Sequence, residues 1–218
     1  MAGTGWVAVI PVKRLGVAKS RLRGAVAPAR HAELALSMLR DTVAAVLDAP
    51  AVARLLVVTD DPDAAAAVTE LGAHAVPDRP GAGLNAAMRH GADTVAGLSH
   101  PRVVLAGDLP ALRPEELGAA LHAAGDQRAF VADAAGTGTV LLAAPAGVPL
   151  GPRFGPGSAG DHAASGAHLL AGDWPGLRRD VDTPEDLRAV LALGAGSYTR
   201  ALWCALGQDC AGSGVPAR

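Results

Sequence analysis

Short apolar runs alternate with longer amphipathic stretches along most of the chain, and this alternation limits the folds that it can adopt. A first run at 6–11 is followed at 28–47 by a stretch in which Leu34, Met38 and Val43 can share one side of a helix. Further strands are predicted at 54–59, 74–76, 102–106 and 129–132, and further helices at 62–71, 84–96 and 114–123. The pattern predicts an α/β fold of three α/β/α layers, in which helices cover both faces of a mostly parallel sheet.

Length and composition fit one domain of ordinary size. Half of the 218 residues are hydrophobic but only 3% are aromatic, so Ala, Val and Leu must fill the core. We predict a single domain at 1–195 and a flexible C-terminal tail at 196–218, which is rich in Gly and Ser. The net charge of −2 argues against nucleic acid as a partner. Since no apolar run reaches about 18 residues and no signal peptide opens the chain, we expect no membrane partner and a cytoplasmic location.

Three aspartates are candidate metal ligands. Asp108 follows the apolar run at 103–106, and Asp180 and Asp182 are two residues apart, so on an extended backbone both point to one face. Carboxylates gathered at one edge repel each other unless a cation lies between them, and Mg²⁺ is commonly held by one or two carboxylates plus substrate phosphates. Asp108 could instead form a turn, and Asp182 could instead favour the dipole of a helix that starts at Thr183-Pro184.

A basic loop at 11–23 follows the first predicted strand. Its cations and free backbone N–H groups can bind phosphate oxygens, although its glycine spacing is not that of a Walker A loop and it could be a solvated charged loop. Lys13, Asp60 and Asp108 each follow a predicted strand, so all three can meet at the edge where such sheets bind ligands. A basic loop that faces a metal site suggests a nucleoside triphosphate as the ligand. That combination indicates nucleotidyl transfer.

Residues 133–160 interrupt the alternation with loop-rich, polar sequence, which often builds a pocket for a second substrate. The histidines lack the spacing of a zinc site, although His162 lies near the Gly/Ser loop and could touch a ligand. Ser158 lacks the surrounding motif of an acyl-transfer nucleophile. No Gly-rich dinucleotide fingerprint follows the first strand, which disfavours a dehydrogenase.

An ordered set of motifs resembles the family of 2-phospho-L-lactate guanylyltransferases (CofC) and phosphoenolpyruvate guanylyltransferases (FbiD), which act in biosynthesis of the deazaflavin coenzyme F-420. The motifs are I-P-V-K-R-L-G-V-A-K-S-R-L at 10–22, V-T-D-D at 58–61, G-L-N-A-A at 83–87, G-D-L-P at 107–110, G-T-G-T at 136–139, F-G-P-G-S at 154–158 and D-V-D-T-P-E-D-L at 180–187. The resemblance implies a glycosyltransferase-A-like nucleotidyltransferase fold.

The resemblance also implies roles for individual residues. Asp108, Asp180 and Asp182 would hold Mg²⁺, and the catalytic set would be Lys13, Lys19 and Asp108. The nucleotide-binding set would be Lys13, Lys19, Ser20, Arg21, Asp60, Gly83 and Asn85. Thr139, Gly155 and Ser158 would bind the phosphate and carboxylate of the acceptor. Where related sequences often carry a polar residue after G-T-G-T, this chain has Val140.

The implied reaction joins GTP and phosphoenolpyruvate to give enolpyruvoyl-diphospho-guanosine and pyrophosphate, and we expect a labile product to be handed to the next enzyme of the pathway. The alternative acceptors are 2-phospho-L-lactate and 3-phosphoglycerate. A transferase that loads CTP or GTP onto a sugar phosphate or molybdopterin is disfavoured, because its first loop would be Gly-rich. The remaining alternative is a non-catalytic nucleotide-binding module, which would be expected to lack part of the acidic set.

Overall fold

The predicted alternation of strands and helices is present in the computed structural model, which describes residues 5–17, 26–79 and 81–207. The strands are β1 (Trp6–Val12), β2 (Val52–Thr59), β3 (His74–Val76), β4 (Arg102–Leu105), β5 (Ala129–Ala132), β6 (Thr139–Ala144) and β7 (His168–Leu169). The α-helices are α1 (His31–Leu47), α2 (Pro62–Glu70), α3 (Leu84–Arg89), α4 (Pro114–Ala124), α5 (Ser158–Ala164), α6 (Pro184–Leu193) and α7 (Ser197–Ala205). Short 3₁₀ turns at Leu15–Val17 and Pro28–Arg30 and a π-helical segment at His90–Ala96 complete the described elements.

One seven-stranded sheet runs through the molecule in the order β3-β2-β1-β4-β6-β5-β7. The pairs β2–β3, β1–β2, β1–β4 and β5–β7 are parallel, whereas β6 is antiparallel to both of its neighbours. The predicted α/β class with a mostly parallel central sheet is therefore confirmed. Because β1, β2, β4 and β5 all point the same way, their carboxyl ends share one edge of the sheet.

Apolar side chains fill both faces of the sheet, as expected for parallel strands covered by helices. One face packs on α1, α2 and α4, through residues such as Leu39, Val43 and Leu117. The opposite face packs on α3, the π-helical segment and α5, where Met88 and Phe130 are buried. The molecule thus has the three layers that the sequence predicts.

Residues 133–160 differ from the loop-rich segment that we predict. They contain strand β6 and the start of α5. All six residues of β6 are buried, and the strand inserts between β4 and β5, where it pairs with both. A strand that is apolar on both faces carries no alternation to mark it, and the G-T-G-T motif before it has the composition of a loop.

The predicted flexible tail also differs from the structure over its first part, which forms helix α7. The carboxylate of Asp41 in α1 accepts the N–H groups of Tyr198 (3.0 Å) and Thr199 (2.8 Å), which are otherwise unpaired at a helix start. Gly196 makes this contact possible, because a Cβ at that position would lie 2.2 Å from an Asp41 carboxylate oxygen. Residues 208–218 lie outside the described part, and the domain limit at 195 stays a prediction.

None of the helices in the described part of the chain is both long enough and apolar enough to span a membrane.

Candidate active site

The carboxyl edge of the sheet gathers the polar residues that the sequence singles out. Lys13 follows β1, Asp60 follows β2, and Asp108 follows β4 after two small residues. Since the strand order is β2-β1-β4, these three positions lie side by side along one edge. The antiparallel direction of β6 brings its first residue, Thr139, to the same edge, beside the end of β4.

A backbone contact brings the second acidic motif to Asp108. The N–H of Val181 donates to the carbonyl oxygen of Asp108 at 3.2 Å, and the Val181 side chain is fully buried. Asp180 and Asp182 flank this anchored valine, so they lie beside Asp108. Asp108 and Asp180 are half-buried, and Asp182 is exposed.

The carboxylates of this cluster repel one another. Burial and the negative charges of Asp108, Asp182 and Asp133 raise the pKa of Asp180 from 3.8 to about 7. A bound cation would reverse this effect, because it favours the charged form of every carboxylate around it. Carboxylate oxygens are also the ligands that Mg²⁺ prefers.

The cluster is not a complete cage made by the protein alone. Within the described residues, no group of three or more His, Cys, Asp or Glu side chains is arranged so that it could hold a metal ion by itself. Metal binding by Asp108, Asp180 and Asp182 therefore stays a prediction.

The segment that carries Asp180 is held in place by two side chains that the sequence does not mark. Glu116 in α4 accepts the N–H groups of Gly176 (3.2 Å) and Leu177 (2.8 Å). Arg178 donates to the carbonyl oxygens of Ala132 (3.2 Å) and Asp133 (2.9 Å) at the end of β5. Neither residue belongs to a motif with a recognisable spacing, so only the folded chain reveals this role.

A hydrogen bond to helix α1 fixes the G-D-L-P motif. The buried hydroxyl of Thr42 accepts the N–H of Leu109 at 3.0 Å and donates to the carbonyl of Met38 at 2.9 Å. Leu109 is itself fully buried. Asp108 is therefore held between the Leu109 anchor and the pairing of its own carbonyl with Val181.

The basic loop is tied to α2 by Asp61, the second Asp of V-T-D-D. One carboxylate oxygen accepts the N–H groups of Asp63 and Ala64 and so caps α2, and the other accepts the N–H of Leu15 at 2.9 Å. Burial pushes the pKa of Asp61 upward, but these N–H groups and the charge of Arg14 outweigh it and hold the pKa below its ordinary value. The loop that carries Lys13 is thus anchored to the start of α2. Lys19, Ser20 and Arg21 lie outside the described residues, so their roles stay predictions.

We expect Asp61→Ala to lower the free energy of unfolding by about 2–3 kcal/mol, since it removes a helix cap and leaves the buried N–H of Leu15 without an acceptor. Urea unfolding measures the change. Asp63→Ala is the matched control, because Asp63 is exposed in the first turn of the same helix. Equal effects of the two substitutions would contradict the anchoring role of Asp61.

A small cleft lies on the β1–β2 side of the edge. It has a volume of about 50 Å³ and is lined in part by Lys13, Asp78, Gly83 and Leu84. Asp60 shapes one wall, since its carboxylate accepts the N–H of Asp78 at 3.0 Å. Lys13 and Gly83 therefore line one cleft, and Asp60 bonds to its wall at Asp78. A nucleotide shared by these residues stays a prediction.

Asn85 has a different environment from the one that we predict. Its amide nitrogen donates to the carbonyl of Phe154 at 2.9 Å, and its amide oxygen accepts the Phe154 N–H at 2.7 Å. This pair of bonds ties the start of α3 to the first residue of F-G-P-G-S. Direct nucleotide binding by Asn85 stays a prediction, but the described contacts make it an anchor between two parts of the site.

The predicted acceptor residues lie together on the β6 side. Thr139 begins β6, Ser158 begins α5 and Gly155 lies on the loop before it, with the Ser158 N–H donating to the Gly155 carbonyl at 3.1 Å. The carboxylate of Asp133 accepts the N–H groups of Thr137 and Gly138, which fixes the turn of G-T-G-T. Val140 is buried in the core, so this position contributes no polar side chain to a ligand.

His162, for which the sequence leaves a ligand contact open, is instead fully buried behind these acceptor residues and bonds to Thr139.

Comparison with known proteins places the chain among guanylyl transferases. Residues 6–216 match the model of the family described as guanylyl transferase CofC like. A phosphoenolpyruvate guanylyltransferase of Salinispora arenicola is 57% identical over 218 residues, which cover 96% of this chain and 98% of the relative. A protein of the same name from Geodermatophilus obscurus is 57% identical over 208 residues, covering 93% and 95%.

Solved structures support the fold. A nucleotidyl transferase from Methanothermobacter thermautotroptrophicus has a TM-score of 0.62 at 23% identity, covering 88% of this chain and 98% of that one. A CMP:2-keto-3-deoxy-manno-octonic acid synthetase complexed with CTP has a TM-score of 0.57 at 19% identity, covering 87% and 98%. These likenesses confirm the nucleotidyltransferase type of fold. The length of the family match, together with the high identity to these relatives, establishes that the chain belongs to the CofC-like guanylyl transferase family.

Proposed function

We propose that the protein transfers the guanylyl group of GTP to phosphoenolpyruvate, giving enolpyruvoyl-diphospho-guanosine and pyrophosphate in coenzyme F-420 biosynthesis. The observation that carries the proposal is the convergence of Asp108, Asp180 and Asp182 beside the loop of Lys13, in a chain 57% identical to proteins named phosphoenolpyruvate guanylyltransferase. An anionic cluster next to a basic loop suits a metal-bound triphosphate.

The reaction needs little covalent help from the protein. A phosphate oxygen of the acceptor attacks the α-phosphorus of GTP, the bond to the β-phosphate oxygen breaks, and pyrophosphate leaves with the electron pair. The attacking phosphate is already an anion at neutral pH, so no general base is required. The contribution of the chain is to position the two anions and to reduce their repulsion.

Each side of the edge has its own task in this proposal. Lys13 pairs with the triphosphate, together with Lys19, Ser20 and Arg21 from the same loop. Asp60 and Gly83 border the nucleoside. Thr139, Gly155 and Ser158 receive the phosphate and carboxylate of the acceptor.

Asp108, Asp180 and Asp182 would hold Mg²⁺. The residues fit this ion, because all the donors are carboxylate oxygens and the pKa of Asp180 is raised by its anionic neighbours as well as by burial. Mg²⁺, when bound, supplies charge neutralisation for the triphosphate and for the departing pyrophosphate.

An assay of pyrophosphate release with each nucleoside triphosphate and each acceptor in turn tests the proposal. Purified protein with Mg²⁺, GTP and phosphoenolpyruvate is expected to release pyrophosphate, whereas ATP, CTP or UTP supports little turnover. We also propose that the labile product passes to the next enzyme of the pathway, so adding that enzyme should stabilise its yield. Preference for 2-phospho-L-lactate or 3-phosphoglycerate would change the assigned acceptor, and no release with any pair would contradict the proposed reaction.

A further inference from the structure

His162 is a fully buried histidine behind the predicted acceptor residues. Its Nδ1 lies 2.9 Å from the hydroxyl of Thr139, and its Nε2 lies 2.9 Å from the backbone nitrogen of Arg153. The imidazole also packs against the ring of Phe130 at 5.7 Å and edge-on against that of Phe154 at 5.1 Å between centroids. The ring therefore joins α5 to the start of β6 and to the segment that carries Phe154.

The two hydrogen bonds define which nitrogen carries the proton. A backbone N–H can only donate, so Nε2 must accept from Arg153 and is unprotonated. In a neutral imidazole the proton is then on Nδ1, which donates to the oxygen of Thr139. The hydroxyl hydrogen of Thr139 is left for another acceptor, and among the described residues the structure gives it none.

The surroundings keep this ring neutral. Burial and the positive charges of Arg128 and Arg153 lower the pKa of His162 from 6.5 to about 4. They outweigh the negative charge of Asp161 and a bond to the backbone of Ser158, both of which raise this pKa. The imidazole therefore stays in one tautomer across the neutral pH range. A buried ring of this kind is unsuited to proton transfer with a substrate that it does not reach.

We propose that His162 is a positioning residue for the acceptor pocket: its Nδ1–H fixes the Thr139 oxygen, so that the Thr139 hydroxyl donates its hydrogen to an anionic oxygen of the acceptor. This inference rests on the proposed function, in which Thr139 binds the phosphorylated acid. The second bond of His162, to Arg153, holds the segment whose next residue is already tied to Asn85.

Two substitutions separate the two bonds of the ring. His162→Gln places an amide oxygen near the position of Nε2, so it can keep the bond to Arg153 but loses the donor to Thr139. His162→Asn places an amide nitrogen near Nδ1, so it can keep the donor to Thr139 but loses the acceptor for Arg153. His162→Gln is expected to raise the KM for phosphoenolpyruvate about tenfold, as expected for one lost hydrogen bond, with the KM for GTP unchanged. His162→Asn should have a clearly smaller effect on the KM for phosphoenolpyruvate.

A double-mutant cycle identifies the route of the effect. If His162 acts through the hydroxyl, His162→Gln should cause no further rise in the acceptor KM when it is combined with Thr139→Val. His122→Gln is the matched control, since His122 is exposed on α4 near the opposite edge of the sheet. Equal increases in both KM values, or additive effects in the cycle, would overturn the positioning role.

A spectroscopic measurement on the wild-type protein gives a second readout that no misfolded variant can obscure. The ¹⁵N chemical shifts of the imidazole are expected to report a proton on Nδ1 and none on Nε2 between about pH 6 and 8. A proton on Nε2 would overturn the inference.

If wild-type protein releases no pyrophosphate from GTP and phosphoenolpyruvate, the proposed function fails and this inference fails with it. If the wild type is active but His162→Gln raises the KM for GTP and the KM for phosphoenolpyruvate equally, the positioning role is refuted and the proposed function is not.

Discussion

Asp108→Asn is expected to reduce turnover by about two to three orders of magnitude while leaving the fold intact. The substitution keeps the shape of the side chain but removes a negative charge from the cluster with Asp180 and Asp182. Less charge means weaker binding of the cation and weaker compensation of the charge that develops on the triphosphate. Pyrophosphate release at saturating GTP and phosphoenolpyruvate measures the loss.

Asp126→Asn provides the matched control, because Asp126 is exposed between α4 and β5, at the opposite edge of the sheet. It removes the same charge from the protein without touching the cluster, and its turnover should equal that of the wild type. Pyrophosphate release by Asp108→Asn at the wild-type rate would refute the assignment of Asp108 as a metal ligand.

Asp180→Asn is expected to abolish activity and yet to stabilise the metal-free protein at alkaline pH. The pKa of Asp180 is raised to about 7 by burial and by its anionic neighbours, so the folded state binds an extra proton relative to the unfolded chain. The free energy of unfolding therefore falls as pH rises from about 4 to about 7 and stays low above that range. Asparagine carries no charge, so the free energy of unfolding of the Asp180→Asn protein does not fall in this way.

The size of the stabilisation follows from the pKa. A shift of about three units corresponds to a ceiling of about 4 kcal/mol, and partial exposure of Asp180 reduces this to about 2 kcal/mol. For a chain of this length that is a rise in melting temperature of about 5 °C at pH 8.5 in EDTA. Below about pH 4 this carboxyl is protonated in both the folded and the unfolded chain, so near that pH the two proteins should melt at nearly the same temperature. A difference that is equal at both pH values would show that charge repulsion is not its cause.

Much of this site could be predicted because it is built at the ends of elements with strong local signals. The buried strands β1, β2 and β4 are short apolar runs, and parallel sheets place ligands at their carboxyl ends. The predicted helix start at Thr183-Pro184 is present as a capping box, in which the Thr183 hydroxyl and the Asp186 carboxylate each accept the other's backbone N–H. That start of α6 fixes the position of Asp182, just before it.

What the sequence could not predict depends on contacts between distant segments. Strand β6 is defined by pairing with both β4 and β5, and its central position cannot be recognised from residues 139–144 alone. Helix α7 begins where Asp41, more than 150 residues away, accepts its first N–H groups. Asn85 bonds to the backbone of Phe154, 69 residues away, so no local spacing marks its role. His162 bonds to the backbone of Arg153, which lies close in sequence, but through a loop that carries no periodic pattern.

The most direct measurement is a crystal structure of the protein with Mn²⁺ and a non-hydrolysable GTP analogue, with the ion located by its anomalous scattering. We expect the ion to lie between the triphosphate and the carboxylates of Asp108, Asp180 and Asp182, at the coordination distance of about 2.1 Å that is typical of Mg²⁺ sites. An ion and nucleotide bound away from these aspartates would contradict the proposed catalytic site.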